Sequence, residues 1–297
     1  VPEYRPDHWS PISEIKGRAS KEACEALLAD IALWQFDYNA VIEHVDNIIL
    51  SEKIELLPGA LWFENYYPGN SLESIFEFQF DELQNQRNNI YGMTNVNARQ
   101  FDPSATAVQM LSRKSSNEVF RGEDISIRKN MEDDYTIWKY VGLQPDGNTV
   151  RPGYMQSGAN WIVYRYADVL LMKAEALSQL NRFNESLDII NDIRDRAGLQ
   201  PIAIANSPVA FEDAILNERA LELAFEGKRW FDLVRMGRRN NFARKDQLVE
   251  QIIKNVPSTQ KRILGSKLTN PNGWYMPIYK AELERNLNLV QNPYYNK

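Results

Sequence analysis

Three glutamates spaced four apart, Glu218, Glu222 and Glu226, are the densest set of side chains in this chain that could do chemistry. They lie in the run NERALELAFEGKRWFDLVRMG, from Asn217 to Gly237, where Arg219, Lys228, Arg229 and Arg235 are interleaved with apolar residues such as Phe225 and Trp230. Read as one helix, the run stacks the three acids along a single face. Paired carboxylates suit cleavage of a glycosidic bond, one as a protonated acid and the other as base or nucleophile across the sugar. That chemistry needs two carboxyls that face each other, one with its pKa raised. Acids on one helix face point the same way, and guanidiniums beside them lower their pKa values. The run is therefore read as an ion network bracing a helix into a large interior, with Arg229 and Asp232, three apart, in the same role.

A second set of residues suits binding. Trp62, Tyr66, Tyr67 and Tyr91 offer flat apolar faces to the C–H faces of sugar rings, and Gln86, Arg87, Asn89, Asn95 and Asn97 offer partners for hydroxyls. The competing reading is that these rings pin a long loop onto the helices.

Composition narrows the classes. The chain has 297 residues, 43% hydrophobic and 25% charged, which describes a globular protein with room for a substantial core. A net charge of −6 with acids and bases mixed leaves no basic stripe for nucleic acid. Cys24 is the single cysteine and falls in an alanine-rich helical pattern, so it reads as a small core residue. The two histidines, His8 and His44, are far apart, and neither metal-ligand spacing nor a phosphate-cradling glycine loop occurs, so no metal or cofactor is expected. Val1 is not an initiator, and the opening VPEYRPDHWSP has neither half of a signal peptide, so a chain processed or cut upstream is expected.

Two helical hairpins must position these residues. Ser20 is a candidate N-cap for KEACEALLADIALWQ, and a turn around Asp37 leads to a helix carrying Val41, Val45, Ile48 and Ile49. The second hairpin begins near Tyr164 with YADVLLMKAEALSQL, turns at Asn181, and ends at Gly198. Displaced by 145 residues the two hairpins register: Ala29 on Ala174, Tyr38 on Phe183, Val45 on Ile190, Ile48 on Ile193. A small residue at the helix contact and an aromatic after the turn is the logic of tetratricopeptide repeats. Between the hairpins, Phe76, Phe78 and Phe80 alternate with Glu77 and Gln79 as in a half-buried strand, and Ile137–Val141 reads as a second one. Trp161, Trp230 and Trp274 read as core.

Several segments resemble one family, the SusD/RagB outer-membrane lipoproteins that bind nutrients for Bacteroidetes. The resemblance is carried by RYADVLLMKAEAL (Arg165–Leu177), NDIRDRAGL (Asn191–Leu199), and the charged run at Glu218, Arg219, Glu222, Leu223, Glu226, Gly227, Arg229, Trp230, Asp232 and Leu233. It extends through Pro277, Ile278, Asn286, Asn288, Leu289, Gln291, Asn292 and Pro293 at the C-terminal end. It implies a mainly α-helical, SusD-like fold of stacked tetratricopeptide-like hairpins in a superhelix, with a loop-rich lobe and a few short strands. The expected organisation is one domain over 1–297 lacking its N-terminal part, with a hairpin at 18–50, a ligand-binding lobe at 51–160, the second hairpin and charged helix at 161–240 and a C-terminal segment at 241–297. The helix around Ala23–Trp34 is then expected to show an apolar face without a partner in this chain.

The resemblance further implies non-catalytic capture of an oligosaccharide at the outer face of the outer membrane. Its partner is a SusC-like TonB-dependent transporter, and the membrane is reached through a lipid anchor upstream of this chain. Alternatives are a tetratricopeptide-type protein–protein scaffold and a RagB-like peptide binder. Ligand contacts are expected at Gln86, Arg87, Asn89, Tyr91, Asn95, Trp62 and Tyr67, and a structural network at Glu218, Arg219, Glu222, Glu226, Arg229 and Asp232.

Overall fold

The computed structural model describes residues 16–67, 69–81, 84, 86–94 (Tyr91 by its backbone), 99–114, 117–140 and 158–296. Asn95, Asn97, His8 and Val141 lie outside them. The chain divides into two compact units, Val1–Arg229 and Trp230–Lys297, so the boundary falls within the charged run.

The first unit is built on the two expected hairpins. Helix α1 (Lys21–Gln35) and α2 (Tyr38–Ile49) form one, α5 (Tyr166–Gln179) and α6 (Phe183–Arg196) the other. Their starting residues are 145 apart in both cases, and so are the left-handed residues that close the first helices, Phe36 (φ 64°) and Asn181 (φ 60°). Ser20 caps α1 by accepting from Ala23 N at 3.1 Å, and Asp37 caps α2 by accepting from Ala40 N at 3.2 Å. Ala29 and Ala174 are fully buried, as are Val45, Ile190, Ile48 and Ile193. A methyl in place of a larger side chain lets the paired helices approach. Helix α2 packs on α5, and α5 on α7 (Pro208–Glu222). Leu27, Leu28 and Ile31 on α1 remain 49, 45 and 44% exposed, the apolar face expected there. Cys24 is half-buried and not a full core residue.

The lobe between the hairpins holds two small antiparallel sheets. Strand β1 (Ser74–Phe78) pairs with β4 (Trp161–Arg165), which runs directly into α5, and β2 (Ile127–Met131) pairs with β3 (Asp134–Ile137) as a hairpin. Short helices α3 (Ile90–Thr94) and α4 (Ala105–Leu111) and a 3₁₀ stretch (Gly59–Asn65) complete it. Two strand expectations are corrected. The faces of β1 are inverted: Glu77 is buried while Phe78 is 56% exposed, because irregular pairing displaces the register and Glu77 finds donors inside. Its Oε1 accepts from Asn70 N (2.7 Å) and Asn160 Nδ2 (2.6 Å), and its Oε2 accepts from Ser74 Oγ (2.8 Å). The strand expected to begin at Ile137 instead ends there, since β3 pairs with the preceding hairpin partner.

The charged run is not one helix. Helix α7 stops at Glu222, and Phe225 (φ 65°) and Gly227 (φ 79°) turn the chain before α8 (Arg229–Phe242). Left-handed backbone ends helices, and glycine enters it without steric cost. In the second unit, α8, α9 (Lys245–Ile253), α10 (Ser258–Leu268) and α11 (Lys280–Arg285) follow one another. Gly237 is needed there: a Cβ on it would lie 2.7 Å from Leu248 and 3.2 Å from Trp274. Trp274 is buried and donates Nε1 to Leu268 O at 2.8 Å, while Trp161 and Trp230 are half-buried. The Gln291 amide both accepts from and donates to the Ile278 backbone at 2.9 Å, tying the C-terminal motif together.

Candidate functional site

Arg165 is the last residue of β4 and the cap of α5, a junction that carries its side chain into the interior. Its Nη1 donates to Glu73 and Glu222 at 2.6 Å, its Nη2 to Glu222 O at 2.7 Å and Glu226 Oε1 at 2.9 Å, and its Nε to Glu226 Oε2 at 3.0 Å. Around it, Arg196 bonds Glu222 and reaches Glu73 at 3.1 Å, and Lys139 reaches Glu226 at 2.7 Å. Arg121 reaches Glu118 at 2.7 Å, Glu218 at 2.7 Å and Glu222 at 2.9 Å, and Arg194 reaches Glu218 at 3.5 Å. Five cations thus face five carboxylates, so a network almost wholly removed from water is near neutral. Desolvating that many charges is tolerable only when partners and hydrogen bonds are complete.

The electrostatics answer the catalytic reading. Burial would raise Glu222, but Arg196, Arg165 and Arg121 hold it well below the usual carboxylate range. Burial likewise opposes ionisation of Glu226, but Arg165 and Lys139 outweigh that burial and its pKa is lowered. Glu218 is raised by burial against the pull of Arg121, yet it is only 3% exposed and points at guanidiniums. Burial lowers Lys139 to about 8 despite Glu226 beside it. The Glu222 and Glu226 carboxylates are ionised and enclosed, an arrangement that braces. A poised acid–base pair would need one of them protonated and open to a substrate.

The other residues of the expected network go elsewhere. Arg219 pairs with Asp168 at 2.9 Å, and so does Lys228 at 2.9 Å. Against its own burial, Asp168 is lowered to about 2 by these two cations. Arg229 donates to Leu216 O at 2.7 Å, and Asp232 pairs with Arg235 at 2.9 Å within the second unit. Sequence reading missed Arg165, Glu73, Arg121, Lys139 and Arg196 as members. Arg165 and Arg196 stood inside the quoted motifs, whereas Glu73 and Lys139 are isolated charges in a polar lobe, with no local pattern to mark them.

The expected binding residues separate into two groups. Trp62 is 1% exposed, edge-on to Tyr66 at 5.2 Å, with the Lys139 ammonium 4.7 Å from its ring centre. It belongs to the lobe's core with Tyr66, Tyr140, Ala159 and Ile162, so the expectation of a stacking platform there is corrected. The Tyr66 hydroxyl donates to Glu226 at 3.0 Å, and burial raises its pKa strongly. Tyr67 is half-buried, while Gln86, Arg87 and Asn89 are exposed. Asn88 between them is buried, donates to Ala159 O at 2.9 Å and accepts from Ile90 N at 3.0 Å. One buried amide thus fixes a segment whose neighbours face water. Tyr91 lies in α3, immediately after it. Asn160 anchors the same floor, donating to Glu77 and accepting from Phe80 N at 3.1 Å.

Comparison with known proteins fits this architecture. A model of the SusD family matches residues 112–295, more than half of the chain. SusD-like protein P38 of Formosa agariphila is 39% identical over 123 residues, 38% of this chain and 23% of that protein. SusD-like protein P2 of the same organism is 33% identical over 175 residues, 52% of this chain and 28% of that protein. A SusD superfamily protein from Bacteroides vulgatus superposes with a TM-score of 0.75 at 23% identity, covering 96% of this chain and 64% of that one. Surface glycan-binding protein A from Bacteroides uniformis superposes with a TM-score of 0.67 at 22% identity, covering 98% and 64%. The structural likenesses establish a shared fold, and the chain spans about two thirds of the length of those structures. The arginine-filled interior and repeated hairpins are thus seen in their family context: the chain belongs to the SusD family.

Proposed function

We propose that this protein captures a nutrient, an oligosaccharide, at the cell surface and performs no chemistry on it. The observation that carries the reading is the segment Gln86–Asn89, which presents two amides and a guanidinium to water while buried Asn88 holds its backbone still. Fixed donors and acceptors suit sugar hydroxyls, because little ordering entropy is lost on binding. Tyr91, two residues beyond Asn89 in the sequence, is the candidate for a stacking ring. The enclosed carboxylates support a non-catalytic role, and the glycan-binding name of the Bacteroides uniformis neighbour points the same way. The partner proposed is a SusC-like TonB-dependent transporter in the outer membrane, with anchoring through a lipid upstream of this chain.

Affinity electrophoresis against a panel of soluble polysaccharides tests this. Retardation that falls at least tenfold on Arg87→Ala or Tyr91→Ala supports it. A protein that binds no glycan but retains peptides would overturn it in favour of a peptide binder, and one that only retains the transporter would favour a scaffold. Hydrolysis abolished by Glu222→Gln would overturn the non-catalytic reading.

A further inference from the structure

Helix α3 forms one wall of a cavity of about 280 Å³. Ile90 and Met93 of α3, Phe101, Ile137 at the end of β3 and Phe225 line it. Two lining residues carry hydroxyls, and both hydroxyls donate to backbone carbonyls. Thr94 Oγ1 donates to Ile90 O at 2.9 Å, and the Tyr140 hydroxyl donates to Phe225 O at 3.0 Å. The cavity therefore offers hydrocarbon walls to whatever enters it.

Phe225 adds a second observation. It holds a left-handed backbone (φ 65°), a conformation that a bulky L-residue adopts only at a steric cost. Glu226 in the ion network and the Tyr140 bond hold the chain in that turn. The turn delivers an aromatic ring to the cavity. Left-handed residues end helices elsewhere in this chain, as Phe36 does for α1, and here the turn also sets a ring in the cavity wall.

Size selects the occupant. An apolar cavity of roughly 150 Å³ takes up a benzene ring and pockets for whole ligands begin near roughly 300 Å³, so this space has room for a ring with small substituents and not for an oligosaccharide. A bare sugar would strip its hydroxyls of water against these walls without compensation. The space fits one ring-sized apolar group, and its wall α3 continues directly from the exposed polar segment Gln86–Asn89.

We propose that this cavity receives an uncharged aryl substituent carried by the captured oligosaccharide, so that the ligand is an aryl-substituted glycan. The proposal rests on the capture reading above for the glycan, and on the cavity alone for the aryl group. The test uses the whole chain labelled at its methionine methyl groups with carbon-13, titrated with p-cresol as the probe. The Met93 methyl is expected to shift saturably while that of Met276, on the second unit, stays still, and Phe101→Ser is expected to weaken the effect at least fivefold. Phe101 is 57% exposed, so that variant should fold. Absence of a Met93 shift in the unaltered protein up to the solubility of p-cresol overturns the proposal, whatever the glycan result.

A second arm compares 4-methylphenyl and methyl glycosides of an oligosaccharide that the protein retains. At least tenfold tighter binding of the aryl form, lost in Phe101→Ser, supports the proposal. Equal binding of the two forms overturns it and leaves glycan capture standing. A Met93 shift with p-cresol in a protein that retains no glycan supports the cavity and overturns the capture reading alone.

Discussion

Arg165 Nη1 lies 2.6 Å from Glu73 and 2.6 Å from Glu222, although 92 and 57 residues separate those partners from it along the chain. One guanidinium therefore ties the lobe, the second hairpin and the charged turn together. Removing it would leave Glu73, Glu222 and Glu226 buried with their neutralising charge reduced. Arg165→Met is expected to destabilise the fold by about 3–5 kcal/mol, measured by urea unfolding. Arg165→Lys is expected to recover little, because a single ammonium cannot reach the five acceptor contacts that the planar fork makes. A loss below about 1 kcal/mol would show that the network is not the brace described.

Trp62 and Arg87 should separate stability from binding. Trp62→Ala empties a site that is 1% exposed and is expected to cost roughly 3–5 kcal/mol. Arg87→Ala, on an exposed side chain, should stay within about 0.5 kcal/mol of the parent while weakening ligand retention. Thermal unfolding and affinity electrophoresis on the same two variants check both halves.

Acid should release one part of the interior only at low pH. Asp168 titrates near 2 in the folded chain and near 3.8 when unfolded, held down by Lys228 and Arg219 against its burial. A carboxylate with a lowered folded pKa contributes stability above the unfolded value, and that contribution is lost as pH falls through the folded one. Its share is roughly 2 kcal/mol. The stability gap between the parent and Asp168→Asn should therefore be full at pH 6 and narrow between about 4 and 2. A gap that stays constant over that range would contradict the pairing.

Gly69 supports the floor beneath the exposed polar segment. Its φ is 79°, and a Cβ would stand 2.4 Å from Asn160 Nδ2, which is committed to Glu77. Gly69→Ala is expected to cost more than about 1 kcal/mol, since strain and clash add. Hydrogen exchange should show the added opening at the Phe80 amide, which Asn160 accepts.

The hairpins were legible because their signals are local. Caps at Ser20 and Asp37, apolar spacing, and the 145-residue displacement shared by Ala29/Ala174 and Ile48/Ile193 all reside in short windows. The inverted strand was not, because Phe76 and Phe78 alternate correctly, whereas the register shift and the donors that draw Glu77 inward include a partner strand and an Asn160 that are distant in the chain. The three glutamates were correctly grouped for a reason that proved incomplete. Glu226 meets Arg165 after a left-handed turn at Phe225, so the contact does not follow from helical spacing. Trp62 failed as a surface platform because aromatic residues in a polar stretch look alike whether they face water or a neighbouring core. The cavity beside α3 left no mark in the sequence, since its walls come from four separate segments.

The long reach of Arg165 also bears on how the chain is made. A ribosome delivers Glu73 first, Arg165 later, and Glu222 and Glu226 only after another 57 and 61 residues. Until then Arg165 and Arg196 have only Glu73 of these three carboxylates to neutralise them, and loop closure over such distances is slow compared with hairpin formation. Each hairpin can zip as it emerges, but the lobe between them must wait for the charged turn. Translation order thus makes the Glu222–Glu226 turn the closing clasp, and a chain truncated just before it would carry formed hairpins around an unlocked middle.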